Sequence, residues 1–215
     1  MNIILLGPQG CGKGTQSAMI AKEFGLCEVS VGELLRKEAD KKTRRGKHVK
    51  AILAQGHLVP TEITVQILRD FLKDNACNEG VILDGFPRTL DQAEALDSIL
   101  NIHAVIELKL SDAESVRRLS ARTQCKEGHI YGLNKTPKKK GVCDADGDML
   151  FVRDDDKPEA IRERLAIYHD ETEPLLEYYR PRNIVHSVDA SAAPEHVFSS
   201  VRRILEELAD ELGSV

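Results

Sequence analysis

The chain has 215 residues, enough for a full hydrophobic core with small insertions, and its 41% hydrophobic and 30% charged content suits a globular protein rather than a disordered one. A formal net charge of −5 gives no reason to expect nucleic acid or an anionic membrane as partner, and no apolar run approaches the ~20 residues of a membrane span. Five cysteines, an odd number, argue against a disulfide framework and for a reducing compartment, so the expected location is the cytoplasm.

In chain order, the apolar run at 3–6 predicts a first strand, which leads through GPQGCGKGTQ (7–16) into a helix over 13–24. A strand at 28–30 precedes helices at 32–40 and 47–55, in a basic stretch between Ser30 and Pro60 with no strand of its own. Then come a helix at 62–75, a strand at 81–84, a helix at 92–99, a strand at 104–108 and a helix at 113–122. From Thr123 to about Phe151 the chain is rich in Gly, Lys, Asp and Cys and lacks helical periodicity. A segment of that kind in a compact domain is usually a lid or a binding loop. The chain closes with a helix at 158–179, a strand at 184–188 and a helix at 194–212, with Pro158 and Pro194 in first-turn positions. Short apolar strands alternating with helices predict a three-layer α/β fold with about five parallel strands.

The segment after the first strand has the spacing of a phosphate loop: Gly7, four residues, then Gly12-Lys13. Glycines at 7, 10, 12 and 14 let backbone N–H groups turn toward phosphate oxygens, the helix N-terminus adds positive potential, and Lys13 can reach terminal phosphates. The usual motif asks next for Ser or Thr; this chain has Gly14 and delays the hydroxyl to Thr15. Asp84 ends the run Val81-Ile82-Leu83, where a carboxylate at the C-terminal end of a parallel strand can position Mg²⁺ or its water. Arg36, Arg88, Arg118, Arg122, Arg153 and Arg164 lie near the proposed insertions and strand ends. Guanidinium stays ionised in a water-poor site and grips phosphate bidentately. Arg44, Arg45, Arg69, Arg117, Arg202 and Arg203 read as solvated helix faces. Cys11, Cys27 and Cys77 read as small apolar residues, and His103, His169, His186 and His196 show no partner spacing.

GPQGCGKGTQ, SVGELLR (30–36), GHLVP (56–60), LDGFPRTLDQA (83–93), the Arg118/Arg122 pair, RDDD (153–156) and RLAIYHDETEPLLEYY (164–179) together resemble the adenylate kinases in their long-lid form, in order from Met1 to about Leu205. LDGFPRT is highly specific by itself. The resemblance implies a P-loop kinase fold with two inserted subdomains: a core of 1–29, 60–122 and 157–215, an AMP-binding insertion at 30–59 and a lid at 123–156. It implies reversible transfer of a phosphoryl group from MgATP to AMP, giving two ADP, by a monomer. The ATP side would comprise Gly10, Cys11, Gly12, Lys13, Gly14, Thr15, Arg118, Arg122, Ile130 and Tyr131. The AMP side would comprise Val31, Arg36, His57, Leu58, Val59, Gly85, Phe86, Pro87, Arg88, Gln92, Arg153 and Arg164. Lys13, Arg88, Arg122, Arg153 and Arg164 would act on the transferring group, and Asp84 would serve Mg²⁺. Asp155 and Asp156 would serve Mg²⁺ or lid closure, with a helix cap the alternative for Asp156. Val31 departs from the family, which usually has Thr there.

Within the lid, Cys125, His129, Cys143 and Asp146 supply two thiolates, an imidazole and a carboxylate, a set suited to structural Zn²⁺. The second half, VCDAD, fits the zinc-lid frame of some adenylate kinases, whereas His129 comes one residue later than that frame asks. A degenerate site or two free thiols is the alternative. Rival functions are a pyrimidine nucleoside monophosphate kinase, an ATP-binding switch or ATPase, and an inactive metal-binding relative.

Overall fold

The computed structural model describes residues 1–54, 57–75, 77–133, 135–153 and 156–213. Gly56, Asp154 and Asp155, which belong to motifs noted above, lie outside the described residues. Five short strands form one parallel sheet: β1 (Ile3–Leu6), β2 (Cys27–Ser30), β3 (Val81–Asp84), β4 (Ala104–Lys109) and β7 (Val185–Asp189), in the order β2-β3-β1-β4-β7. Strand alternation divides the core in two. Ile4, Leu6, Val29, Leu83 and Val105 face one side, with Leu68, Leu96, Leu175 and Tyr179 from the covering helices. Ile3, Leu5, Ile82, Ile106 and Leu108 face the other, against Ile20, Val197, Val201 and Leu205. Both faces are therefore covered, as all-parallel sheets require. The three-layer, five-stranded expectation holds, with strand ends shifted by one residue.

The first covering layer contains α4 (Thr61–Asp74), α5 (Leu90–Asp97) and α8 (Leu175–Tyr179); the second contains α1 (Lys13–Phe24) and α9 (Pro194–Gly213). Next to β2, α2 (Val31–Ala39) and α3 (Arg44–Ala54) share a small core of Val49, Val59 and Ile67. Arg45, read from sequence as a solvated residue, instead bonds at 2.7 Å to Glu38, which is only 3% exposed, and at 3.0 Å to Asp70. It joins α2 and α3 to α4. No helix among the described residues is long and apolar enough to cross a membrane.

Two expectations are corrected. Cys27 and Cys77 are not separate apolar residues but a disulfide, with Cα atoms 5.5 Å apart. The register that sets Cys27 opposite Val81 brings the segment entering β3 alongside β2. The expected helix at 158–179 is interrupted: α7 (Pro158–Ile167) passes into a π-turn at Tyr168–Thr172 before α8. Pro174 has no N–H to continue the α pattern, and the Glu173 N–H reaches five residues back to the Tyr168 carbonyl at 2.8 Å.

Between α6 (Asp112–Ser120) and α7, the segment without helical periodicity is a small β unit. β5 (Thr123–Gln124) pairs antiparallel with β6 (Ile130–Tyr131), and Gln124 exchanges two 2.9 Å backbone bonds with Phe151. Its interior is Cys125, Tyr131 and Cys143, with Leu150 packed against them.

Candidate functional site

The loop from β1 to α1 lies in the crevice at the C-terminal ends of the strands, where β1 is flanked by β3 and β4 and the winding of the sheet reverses. Gly7 has φ 149°, and a Cβ there would stand 2.6 Å from the Leu108 carbonyl oxygen, so the loop passes too close to β4 for a side chain. The Lys13 ammonium folds over the loop and donates to the carbonyls of Gly7 (2.7 Å) and Pro8 (3.0 Å). Cys11 Sγ, buried under the loop, is 3.7 Å from the same nitrogen. Gly12 precedes α1, while Gly14 and Thr15 lie exposed in its first turn. The Asp84 carboxylate fills the space beside Gly14: a Cβ on Gly14 would be 3.6 Å from Asp84 Oδ2. Burial raises the Asp84 pKa above the ordinary carboxylate value, against the opposing pull of Lys13 and Arg88.

Arg118 on α6 reaches the Gly10 carbonyl (3.5 Å) and the Ser191 carbonyl (2.9 Å) and is braced by Glu114 (2.9 Å), linking the phosphate loop to the loop after β7. Arg122 makes a bidentate bond to Asp156 at 2.8 and 2.6 Å, and Arg164 on α7 stands 3.6 Å from the same carboxylate. The Arg153 carbonyl accepts the Asp156 N–H at 3.1 Å. Asp156 is 3% exposed and spends its carboxylate on guanidinium; Lys157, not Asp156, is the cap residue of α7.

Across the crevice, Gly85, Phe86, Pro87 and Arg88 follow Asp84, with a cis Phe86–Pro87 peptide. The Arg88 Nε–H donates to the Gly85 carbonyl (2.9 Å) and its backbone N–H donates to Gln92 Oε1 (2.8 Å). Gln92 is buried, and with Leu58, Val59, Thr61, Thr89 and Asp91 it lines a cavity of about 330 Å³. Val31 is buried at the start of α2, whereas Arg36 and His57 are exposed.

In the small β unit, Cys125 Sγ lies 3.3 Å from His129 Nδ1 and 3.1 Å from Asp146 Oδ2, and Cys143 Sγ lies 3.5 Å from His129 Nδ1. His129 Nδ1 and Asp146 Oδ2 are 2.9 Å apart, and all four ligand atoms lie within 4.8 Å of one another. Gly128, at φ 90°, makes the turn that returns His129 to Cys125 despite its offset in sequence. Tetrahedral zinc with bonds of ~2.0–2.3 Å implies ligand–ligand edges of about 3.3–3.8 Å, so the donor set fits after small side-chain adjustments.

A protein-family model described as adenylate kinase matches residues 5–184. The curated adenylate kinase of Archaeoglobus fulgidus is 42% identical over 97% of this chain and 99% of its own length. Those of Streptomyces avermitilis (40%, all of both chains) and Methanothrix thermoacetophila (41%, 96% and 99%) are similar along their whole lengths. The chain belongs to the adenylate kinase family.

Adenylate kinase activity is the reversible exchange of a phosphoryl group between ATP and AMP, with Mg²⁺ on the nucleotide. Of the residues expected on the ATP side, the fold gathers 10–15 and Arg118 at one end of the crevice. Tyr131 is different. Its ring is 1% exposed, and its hydroxyl accepts from the Asp144 N–H at 2.7 Å, so its side chain belongs to the core of the small β unit; Ile130 is the exposed neighbour. Sequence reasoning for an adenylate kinase missed Glu114 and Ser191, which hold Arg118, and Thr172, which bonds Arg88. Glu114, four residues before Arg118 on a helix, was a readable signal. Ser191 and Thr172 meet their partners only through the fold.

Proposed function

We propose that this enzyme holds MgATP between the phosphate loop and Arg118, and AMP between Arg88 and the Val59–Gln92 cavity, for in-line phosphoryl transfer. The single observation that carries this reading is geometric: the Asp84 carboxylate lies against Gly14 at the start of α1, while the carbonyl of Gly85, the next residue, accepts from the Arg88 guanidinium at 2.9 Å. Groups assigned to donor and acceptor thus meet at the end of β3. On this reading the core is 1–29, 60–122 and 157–215, the AMP-binding insertion 30–59 and the lid 123–156. Lys13 and the amides of 10–15 take the ATP phosphates. Arg36, Arg88, Arg153 and Arg164 hold the AMP phosphate, and Arg122 moves between Asp156 and the transferring group. Asp84 orients water on Mg²⁺ in place of a hydroxyl at position 14.

Such chemistry needs positioning and charge stabilisation rather than a protein nucleophile, and exclusion of water limits hydrolysis of ATP. The lid and the insertion are the two units available to exclude it. A panel of acceptors tests the assignment: ADP formation from ATP and AMP should exceed phosphorylation of CMP or UMP, and faster pyrimidine phosphorylation would overturn it.

Cys125, His129, Cys143 and Asp146 hold a structural Zn²⁺ in this reading. With four protein donors, the metal has no open position and staples a lid of small core. A chelator should lower the melting temperature of the wild type and leave Cys143→Ser unmoved. The enzyme is read as a cytoplasmic monomer. Free Cys11, Cys125 and Cys143 favour a reducing compartment while the Cys27–Cys77 bond argues against it, so trapping thiols in intact cells is the direct test.

A further inference from the structure

We propose that Thr172 is a positioning residue for Arg88, a role that the π-turn at Tyr168–Thr172 creates. The proposal rests on the reading of Arg88 as a phosphate-holding group of the acceptor site. Two of the bonds that fix Arg88 are local: Nε–H to the Gly85 carbonyl, and backbone N–H to Gln92 Oε1. Both partners lie within four residues and move with the loop. The third is not local. The Thr172 hydroxyl donates to the Arg88 carbonyl at 3.0 Å, across 84 positions of sequence. It ties the Arg88 loop to the arm containing α7 and α8.

That arm also carries Arg164, which sits eight positions before Thr172 and contacts Asp156. One segment therefore carries Arg164 and holds the backbone of Arg88, the two arginines assigned to the same phosphate. Phosphoryl transfer is sensitive to displacements of such groups, since a misplacement of about 1 Å can cost on the order of 100-fold in rate. The π-turn supplies the geometry. An inserted residue rotates the downstream chain by about 100° relative to an uninterrupted α-helix. His169, early in the turn, faces Asp112 on α6, while Thr172 at its end faces Arg88. Placed in a wide turn of this kind, the hydroxyl reaches out of the helix rather than back to its own carbonyls.

The test is steady-state kinetics with AMP and ATP varied separately, on Thr172→Val, Thr172→Ser, Arg88→Ala and the double variant Thr172→Val/Arg88→Ala. Thr172→Val keeps the shape and removes the donor. It should raise KM for AMP about fivefold, as expected for one net hydrogen bond, and leave KM for ATP within about twofold. Thr172→Ser should restore the wild-type value, and Thr172→Val should add nothing once Arg88 is already alanine. The proposal falls if Thr172→Val changes both KM values alike, if serine fails to rescue, or if the two effects add. An unchanged KM for AMP in Arg88→Ala would instead overturn the reading of Arg88 and take this proposal with it. A damaged Arg88→Ala beside an unaffected Thr172→Val overturns the positioning role alone.

Discussion

Lys13 donates to the carbonyls of Gly7 and Pro8, so its charge is already aimed at the centre of the loop. Fixed charges in water-poor sites are often worth ~3–4 kcal/mol of transition-state stabilisation, so Lys13→Ala should lower kcat/KM about 10²- to 10³-fold in the ADP-forming assay. Asp84 makes the opposite trade. Its raised pKa means that the folded state holds the proton more tightly than the unfolded chain does. Stability contributed there therefore falls as pH rises from the ordinary carboxylate range through the raised value, and the ionised form is a cost at neutral pH. Asp84→Asn should raise the melting temperature at pH 7 while lowering kcat/KM about 10²-fold. The glycine at 14 was the oddity of the sequence motif. In space it lies beside Asp84, a relation the spacing of the motif does not contain because the carboxylate arrives from another strand.

Elements joined by single side chains decide how the small β unit between α6 and α7 is anchored. His169 sits between Asp112 at the start of α6 and Glu173 after the π-turn, with Nε2 3.0 Å from one carboxylate and Nδ1 2.7 Å from the other. α6 leads into the small β unit and α7 leads out of it, so this imidazole clasps the two arms. Glu173 and then Asp112 raise its pKa. A histidine with a raised folded pKa contributes stability that is complete below the unfolded value and is lost as pH rises through the folded one. Thermal melts of wild type and His169→Gln should therefore differ most near pH 6 and converge by about pH 9. A gap that widens with pH would refute the clasp.

The strands, α1 and the arginine-bearing motifs were legible in the sequence because apolar runs and Gly spacing are local signals. The π-turn was not. Pro174 announces a disturbance, but its form depends on which carbonyl the Glu173 N–H finds and on His169 reaching α6. The burial of the Tyr131 ring was not legible for a similar reason: it is set by packing on Cys125 and Cys143, not by its neighbours in sequence.

At the scale of the whole molecule, the disulfide is the feature that sequence patterning least prepares for. It joins residues 50 apart, and closing a loop of that length limits the unfolded chain by up to about 4 kcal/mol in the entropic account. At about 2–4 °C per kcal/mol for a chain of this size, full reduction should lower the melting temperature by roughly 8–16 °C at most. An unchanged melt in reductant would show that the bond adds nothing to the native state. The pairing was invisible in sequence because it depends on β2 lying beside β3, and Cys27 and Cys77 look like ordinary apolar positions until that register is set.

The same bond makes the chain between Cys27 and Cys77 a covalent lasso. The ring opens in β2 and closes four residues before β3, and α2, α3 and α4 hang within it. A single proteolytic cut anywhere on that ring cannot release either piece. The nicked chain remains one molecule of unchanged mass but for a water, and its two parts separate only when the sulfurs are reduced.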